Sequence, residues 1–249
     1  MNRFMLFIHK TGSPPWFYQF SGRLLPWVWA IFGVLAIWGL YLGLFKSSPD
    51  FVQGESVRIM YIHVPSAYMS MLIYALMAIM GFIGLVWHVR ITEIMMISSA
   101  PIGATFTALA LATGSLWGRP TWGTYWVWDA RLTSELVLLF LYLGVIGLYA
   151  AYDEPRKAAR AAALLALVGV VNLPIIHFSV KWWNTLHQPP SLTAGGSSID
   201  PSMLWPLLIM VVAWKFYFIA TLLTRTRVRL IEQDQRKRWV ADVLSGGKS

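Results

Sequence analysis

The chain has 249 residues, of which 57% are hydrophobic and 12% charged, and its mean hydropathy is +0.58. Because soluble domains contain about a quarter charged residues, this composition excludes an ordinary soluble protein and indicates a polytopic membrane protein. The formal charge of +9 follows membrane topology, so it does not indicate a nucleic-acid partner, and the lack of cysteine excludes disulfides, thiolate metal sites and thioether-linked cofactors.

Six apolar segments are long enough to cross the membrane, since about 20 residues span roughly 30 Å of hydrocarbon. They are residues 24–45, 62–87, 96–117, 133–151, 161–178 and 204–223. No small-residue cleavage site follows the first segment, so we expect a retained helix rather than a signal peptide. None of the segments alternates as membrane strands do. The sequence therefore predicts an all-α bundle of six transmembrane helices, forming a single membrane domain over residues 1–249.

Lysine and arginine are distributed unevenly between the two ends of these spans. Most lie in the N-terminal segment, in the connections near Arg90 and Arg156, and in the basic tail 225–249. The opposite end carries a smaller group: Lys46, Arg58, Arg119, Arg131 and Lys181. Because basic residues concentrate on the cytoplasmic side, we expect both termini in the cytoplasm. The loops 46–61, 118–132 and 179–203 should then face outward.

The segments expected on the cytoplasmic side show no nucleotide-binding motif. "HVRITE" and "DEPRKAAR" are short and charged and contain no glycine loop that could hold a phosphate. We therefore do not expect the chain to hydrolyse ATP by itself. The tail sequence "RTRVRLIEQDQRKRW" predicts a basic helix at the membrane surface, which serves either as an anchor on anionic lipid or as a docking segment for a partner.

An aromatic stretch, "WGTYWVWDARLTSE", begins in the second outward loop. Helical spacing would place four of its side chains on one face: Trp122, Tyr125, Trp126 and Asp129. An interfacial aromatic belt is the simpler interpretation. Trp117 precedes the stretch and Arg131 follows Asp129, however, and an aromatic shelf with a cation at its rim suits a flat anionic ligand. A porphyrin fits this description, because its face stacks on aromatic rings and its propionates pair with guanidinium groups.

Haem would also need axial ligands to its iron, and histidine is a common one. Of the five histidines, His9 and His88 are expected at the cytoplasmic surface. His63, in "YIHVPSAY", and His187, in "WWNTLHQPP", lie on the outward side and could bind haem from opposite faces. His177 follows an expected kink at Pro174, where it would satisfy freed backbone carbonyls. Each outward histidine has the alternative of a hydrogen-bonded structural role.

Several basic residues have an ambiguous place in this pattern. Arg58, Arg131 and Lys181 would surround haem carboxylates, and each could instead be a solvated charge or a phospholipid contact. Lys215 lies near the middle of the sixth span, where insertion of a lysine costs about 2.5–3.5 kcal/mol. Its side chain is expected to reach toward the interface or to pair within the bundle.

Four segments, in this order, resemble the tryptophan-rich haem-handling family of cytochrome c maturation protein C (CcmC, haem exporter protein C). They are "RIMYIHVPSAYMSM", "SAPIGATFTALALATGSLWGRP", "WGTYWVWDARLTSELVLLFLYLG" and "GVVNLPIIHFSVKWWNTLHQ". The resemblance covers about residues 16–235. It implies that His63 and His187 are the axial haem ligands and that Arg58 and Arg131 lie near the haem. It assigns the tryptophan-rich motif to Trp117, Trp122, Trp126, Trp128 and Asp129. Tyr125 departs from this motif, because the family usually has tryptophan there.

The resemblance also implies a cofactor, a location and partners. Haem b would be bound transiently and without a covalent bond at the periplasmic face of the bacterial inner membrane. It would be delivered to the haem chaperone CcmE, beside the ATP-binding subunit CcmA, the membrane subunit CcmB and the small helper CcmD, with membrane lipid around the chain. No catalytic acid, base or nucleophile stands out, so binding and transfer are expected rather than enzymatic catalysis.

A permease and an electron carrier are the two alternative functions. A permease for haem or another solute would need polar groups along an internal path, and the spans offer little beyond Asn172, Lys215 and scattered hydroxyls. A haem-b electron carrier would place its ligand pairs inside the helices, whereas His63 and His187 lie at the predicted outer boundary. The permease is the remaining alternative.

Overall fold

The computed structural model describes residues 12–188, 191–193 and 195–245. Within these residues the chain forms eight α-helices: α1 (Pro14–Tyr41), α2 (Met60–Trp87), α3 (Arg90–Trp122), α4 (Ala130–Ala150), α5 (Pro155–Gly169), α6 (Asn172–Trp182), α7 (Pro201–Gln233) and α8 (Arg238–Leu244). A π-helical turn, Leu42–Lys46, extends α1, and a 3₁₀ turn, Glu55–Ile59, precedes α2. Two-residue strands, β1 (Leu192–Thr193) and β2 (Gly196–Ser197), pair antiparallel.

Six helical segments of the described chain are long and apolar enough to cross a membrane, with α5 and α6 together forming one of them. This confirms the predicted all-α bundle of six spans. The helices extend beyond the predicted segments because an α-helix can continue into the interface, where charged side chains are solvated. The first part of the basic tail is helical as predicted, and it continues α7 as far as Gln233. Only the short α8 follows it, and residues 246–249 lie outside the described part.

Small residues allow the central helices to pack closely. The buried face of α5 is almost entirely alanine, including Ala162, Ala163 and Ala166. Gly81 of α2 faces this surface, and a Cβ added there would lie 3.2 Å from the Cβ of Ala163. Small residues let membrane helices approach one another and gain dispersion contacts. Larger buried side chains of α2, α3 and α4 fill the rest of the core, as Tyr74 does against Tyr142 at a ring distance of 5.0 Å.

The fifth span is interrupted before the proline that was expected to kink it. Helix α5 ends at Gly169 and α6 begins at Asn172, so Pro174 lies in the first turn of α6, where its missing N–H costs no helical hydrogen bond. The Asn172 amide donates to the Ser134 carbonyl oxygen at 2.9 Å and connects α6 to α4. His177 is exposed and makes no hydrogen bond within the described residues, so its expected role at the kink is wrong.

A buried carboxylate, Asp234, connects the helices at the end of the bundle near Arg90. Asp234, just after α7, accepts hydrogen bonds from Arg90 at 2.6 Å, Lys237 at 2.9 Å and the Trp239 indole at 3.0 Å. Burial acts to raise the pKa of Asp234, but the hydrogen bonds from these three groups prevail and hold the pKa below its usual value. This cluster connects α3, α7 and α8.

Candidate functional site

The tryptophan-rich stretch is not one helical face. Helix α3 continues to Trp122 and ends at Gly123, whose φ of +78° belongs to the left-handed region that glycine adopts readily. Residues 124–129 are non-helical, and α4 begins at Ala130. The predicted helix through Trp122, Tyr125, Trp126 and Asp129 is therefore wrong. Trp122 lies at a helix end, and the other three lie on the segment that follows.

His63 lies in the first turn of α2, and its protonation pattern follows from its neighbours. Its Nδ1 lies 3.0 Å from the Ala110 carbonyl oxygen and 3.2 Å from Thr113 Oγ1. The Thr113 hydroxyl donates to the Leu109 carbonyl oxygen at 2.6 Å, so only its lone pairs are available to His63. Because both neighbours act as acceptors, Nδ1 carries the proton and Nε2 keeps its lone pair. An imidazole held in this way is oriented to bind a metal through Nε2.

Helix α3 packs directly on the His63 ring. A Cβ added at Gly114 would lie only 2.8 Å from His63 Cε1, so glycine is needed for the ring to sit there. Trp117, one turn further along α3, contacts the ring edge-on at a centroid distance of 5.6 Å. The Trp117 indole in turn donates to Gln53 Oε1 at 2.8 Å. The position of His63 is thus fixed by three consecutive turns of one helix.

His187 reaches the same region from the loop after α6. Its ring lies against Trp122 at a centroid distance of 4.8 Å, and its Nδ1 is buried without a hydrogen-bond partner in the described part of the chain. Burial, followed by the positive charge of Arg131, lowers the pKa of His187 to about 3. The ring is therefore neutral at physiological pH and can offer a lone pair. The structure brings both predicted histidines together, each beside a tryptophan of α3.

Asp129 connects the tryptophan-rich segment to the His187 loop. Its Oδ1 accepts from the Leu132 amide at 2.8 Å and caps the N-terminus of α4. Its Oδ2 accepts from the Leu186 amide at 3.3 Å. Asp129 therefore caps α4 and also contacts the residue before His187.

The two arginines expected near the site differ in how far their donors are engaged. Arg58 forms an ion pair with Glu55, and its Nη1 donates to the Gly43 carbonyl oxygen at 2.9 Å and to Ser47 Oγ at 3.1 Å. These contacts connect the 3₁₀ turn to the end of α1. Among the described residues Arg131, in the first turn of α4, makes one such hydrogen bond, from Nη1 to the Ile176 carbonyl oxygen at 2.8 Å. More of its donors are available to a ligand.

The remaining aromatic residues of the motif divide between buried and exposed positions. Trp126 and Trp128 meet edge-on at 5.3 Å, and the Trp126 indole nitrogen is buried with no hydrogen-bond partner among the described residues. Trp128 is 77% exposed and Tyr125 is 57% exposed, the latter beneath the Arg119 guanidinium at 5.7 Å. An open depression of about 340 Å³ lies between the motif and the His187 loop. Its lining residues are Val127, Trp128, Asp129, Asn184, Thr185 and Leu186.

Lys181 and Lys215 each lie near an aromatic ring outside the tryptophan-rich motif. Lys181 is exposed near the end of α6, with its ammonium 6.0 Å from the Phe178 ring. Lys215 of α7 lies 5.2 Å from the Tyr68 ring of α2. It forms no ion pair within the described residues, and the cation–π contact with Tyr68 pairs it with a residue of the bundle.

Four residues were not predicted from the sequence: the buried carboxylate Glu135, and three neighbours of His63 and Trp117, namely Gln53, Thr113 and Gly114. Glu135 is 7% exposed and accepts from Ser70 Oγ at 2.7 Å, while the Tyr142 hydroxyl donates to the Ser70 carbonyl oxygen at 2.7 Å. Glu135 could have been found, because an ionisable residue inside a predicted span is itself a signal. The neighbours Gln53, Thr113 and Gly114 carry no comparable signal.

Comparison with known proteins shows the family to which the chain belongs. A family model described as "Heme exporter protein C" matches residues 7–241. The chain belongs to this family. Among similar proteins, "Heme exporter protein C" of Escherichia coli (strain K12) is 48% identical over 237 residues, covering 95% of this chain and 96% of the relative. The protein of the same name from Bradyrhizobium diazoefficiens is 49% identical over 235 residues, covering 91% and 89%. That of Paracoccus denitrificans is 37% identical over 240 residues, covering 96% and 97%.

Family membership confirms the resemblance stated from the sequence motifs. The heme exporter protein C match includes every element that contributes to the site, from the 3₁₀ turn before α2 to the loop that follows α6.

Proposed function

We propose that this membrane protein handles haem during the maturation of c-type cytochromes, holding haem b between His63 and His187. One observation carries the proposal. The two histidines come from different parts of the chain, and each packs against a tryptophan near the same end of α3, His63 against Trp117 and His187 against Trp122. Two neutral imidazoles suit the axial positions of a haem iron, whose other four ligands come from the porphyrin.

The polar and aromatic groups around the histidines fit haem. His63 has Nε2 free because Nδ1 donates to backbone and hydroxyl oxygens. Trp117 and Trp122 would flank the porphyrin, whose face favours aromatic contacts. Arg131 is the better propionate partner, since guanidinium binds carboxylate through paired N–H groups. Arg58 contributes less to a propionate than expected, because three of its contacts already connect it to Glu55, Gly43 and Ser47.

Release follows from the kind of contacts that hold the ligand. The chain has no cysteine to form a thioether with haem. Coordination, stacking and ion pairs are reversible, so a partner can compete for the bound haem. We propose that the chaperone CcmE accepts it and that CcmA, CcmB and CcmD assemble with this chain. The excess of basic residues at the Arg90 end supports a periplasmic position for the site in a bacterial inner membrane.

A permease finds less support in the described bundle. Its buried carboxyl group, Glu135, accepts a hydrogen bond from Ser70 Oγ, and the Tyr142 hydroxyl donates to the backbone carbonyl oxygen of the same serine. Polar groups that satisfy one another in this way stabilise helix contacts rather than line an open path. We therefore retain haem binding and hand-over as the function of the chain.

Purification of the chain in the absence of CcmE tests the proposal. Wild type should carry haem with a bis-imidazole absorption spectrum, and His63→Ala combined with His187→Ala should lose it. His177→Ala is the matched control, because His177 belongs to the same end of the bundle but is exposed and has no hydrogen bond in the described structure. Haem content and spectrum that do not change in the double variant would overturn the assignment of these ligands.

A further inference from the structure

The two histidines are held in unequal ways, and this inequality bears on how haem leaves. Resting on the proposed function, we infer that His63 is the retained ligand and His187 the exchangeable one. During hand-over the Fe–N bond to His187 breaks and its electron pair stays on the imidazole nitrogen. An incoming Lewis base of the acceptor protein supplies a new electron pair to the iron. No electron is gained or lost in this exchange, and His63 stays bound until the new ligand is in place.

His63 has the surroundings of a strong ligand. Its Nδ1–H donates to the Ala110 carbonyl oxygen, and Thr113 Oγ1 offers a second acceptor. Such hydrogen bonds orient a ligating imidazole and raise the basicity of its other nitrogen. The ring is also enclosed by α3, with Gly114 and Trp117 packed against it. Movement of His63 away from the iron would break its hydrogen bond to Ala110 and its packing against α3.

His187 lacks these supports. Its Nδ1 is buried with no hydrogen-bond partner in the described residues, so its basicity is not raised by a neighbouring acceptor. The residue lies in a loop, and its backbone amide is held by Thr185 Oγ1 at 3.2 Å. Beyond this contact, the ring depends on Trp122, and the loop depends on the bond between the Leu186 amide and Asp129. A displacement of the loop would withdraw the ring without any change in helix packing.

The exchange can be located by carbon monoxide, which binds reduced haem in place of the more readily released axial ligand. The test uses the full-length protein loaded with haem in detergent. We expect the resonance Raman spectrum of the wild-type CO complex to match that of His187→Gly and to differ from that of His63→Gly. A match to His63→Gly would show that His63 is the released ligand and would overturn the inference.

The rate of haem loss to excess apomyoglobin gives a second readout. His63→Gly should lose haem about 10-fold or more faster than His187→Gly, in line with the 10–100-fold effects of disrupting the support of a metal ligand. Thr113→Val keeps the shape of α3 and removes one acceptor from Nδ1, so it should also accelerate haem loss. Thr105→Val is its control, because Thr105 makes the same kind of bond, to the Pro101 carbonyl oxygen, at an exposed position of α3.

The outcomes separate this inference from the proposed function. Equal effects of the two glycine variants, together with a wild-type rate in Thr113→Val, would leave both histidines as ligands and refute their inequality. Unchanged haem content and spectrum in both glycine variants would refute the ligand assignment itself. If His63→Gly fails to fold, the CO complexes of wild type and His187→Gly and the Thr113→Val rate still decide the matter.

Discussion

Gly114 determines how closely α3 approaches the proposed haem ligand. In Gly114→Ala the new methyl carbon would lie 2.8 Å from His63 Cε1 and 3.3 Å from Nδ1. Carbon atoms prefer separations of about 3.5–4.0 Å, so the ring must move by roughly 1 Å. The 3.0 Å contact between Nδ1 and the Ala110 carbonyl oxygen cannot survive a shift of this size unchanged.

The expected cost to haem binding is larger than the cost to folding. Loss of a hydrogen bond that supports a metal ligand lowers affinity by about 10–100-fold, or about 1.4–2.8 kcal/mol. Overpacking destabilises a core by about 1–3 kcal/mol, but replacing glycine by alanine inside a helix recovers about 0.5–1 kcal/mol. We therefore expect Gly114→Ala to insert and fold while it retains about one tenth of the wild-type haem.

Haem per protein after size-exclusion chromatography measures the effect, with thermal unfolding in detergent as the check on folding. Gly33→Ala is the matched control, because Gly33 also lies inside a helix and an added Cβ meets nothing within 4 Å. Its haem content should equal that of wild type. If Gly114→Ala instead keeps wild-type haem content, spectrum and off-rate, the ring of His63 does not hold the iron in the position described.

Two further predictions concern the carboxylates at the ends of helices. Asp129→Ala should lower stability by about 0.5–2 kcal/mol through the lost cap and should also release haem. Asp200→Ala removes the comparable cap of α7, at 2.8 Å from the Ser202 amide, and should lower stability alone. Equal haem retention in the two variants would contradict the role of the Leu186 contact. Asp234→Asn should destabilise the protein at neutral pH by about 3 kcal/mol, because the carboxylate is buried and paired. Since the folded-state pKa of Asp234 lies below its usual 3.8, this stabilisation is complete above that value and is lost as pH falls through the folded pKa. The difference in unfolding temperature between wild type and Asp234→Asn should therefore narrow below about pH 4, and a constant difference would contradict it.

The bundle could be predicted because each span contains enough apolar residues to cross hydrocarbon, and that requirement is local to the segment. The ends of the helices could not be predicted in the same way. Hydropathy reports burial in lipid, while α3 and α7 continue for several turns among polar side chains. Their ends depend on caps, such as the left-handed Gly123, which a count of apolar residues does not detect.

The candidate site was predictable in its residue types and only partly in its geometry. His63 and His187 were found because imidazole is scarce in this chain and both lie beside aromatic motifs. The involvement of Gln53 with Trp117 depends on a long-range contact between a loop and α3 that no periodicity reveals. The hydrogen bond from Arg58 to the Gly43 carbonyl oxygen, at the end of α1, is likewise a tertiary contact that the sequence pattern does not show.

The length of α3 has a consequence for where hand-over takes place. Its 33 residues extend about 50 Å at 1.5 Å per residue, and the hydrocarbon layer is roughly 30 Å thick. The helix is therefore longer than the hydrocarbon layer is thick, and its last four turns carry the contacts to both histidines. We expect a ligand held at that end of α3 to lie close to the membrane surface. A water-soluble acceptor could reach it there without entering the bilayer.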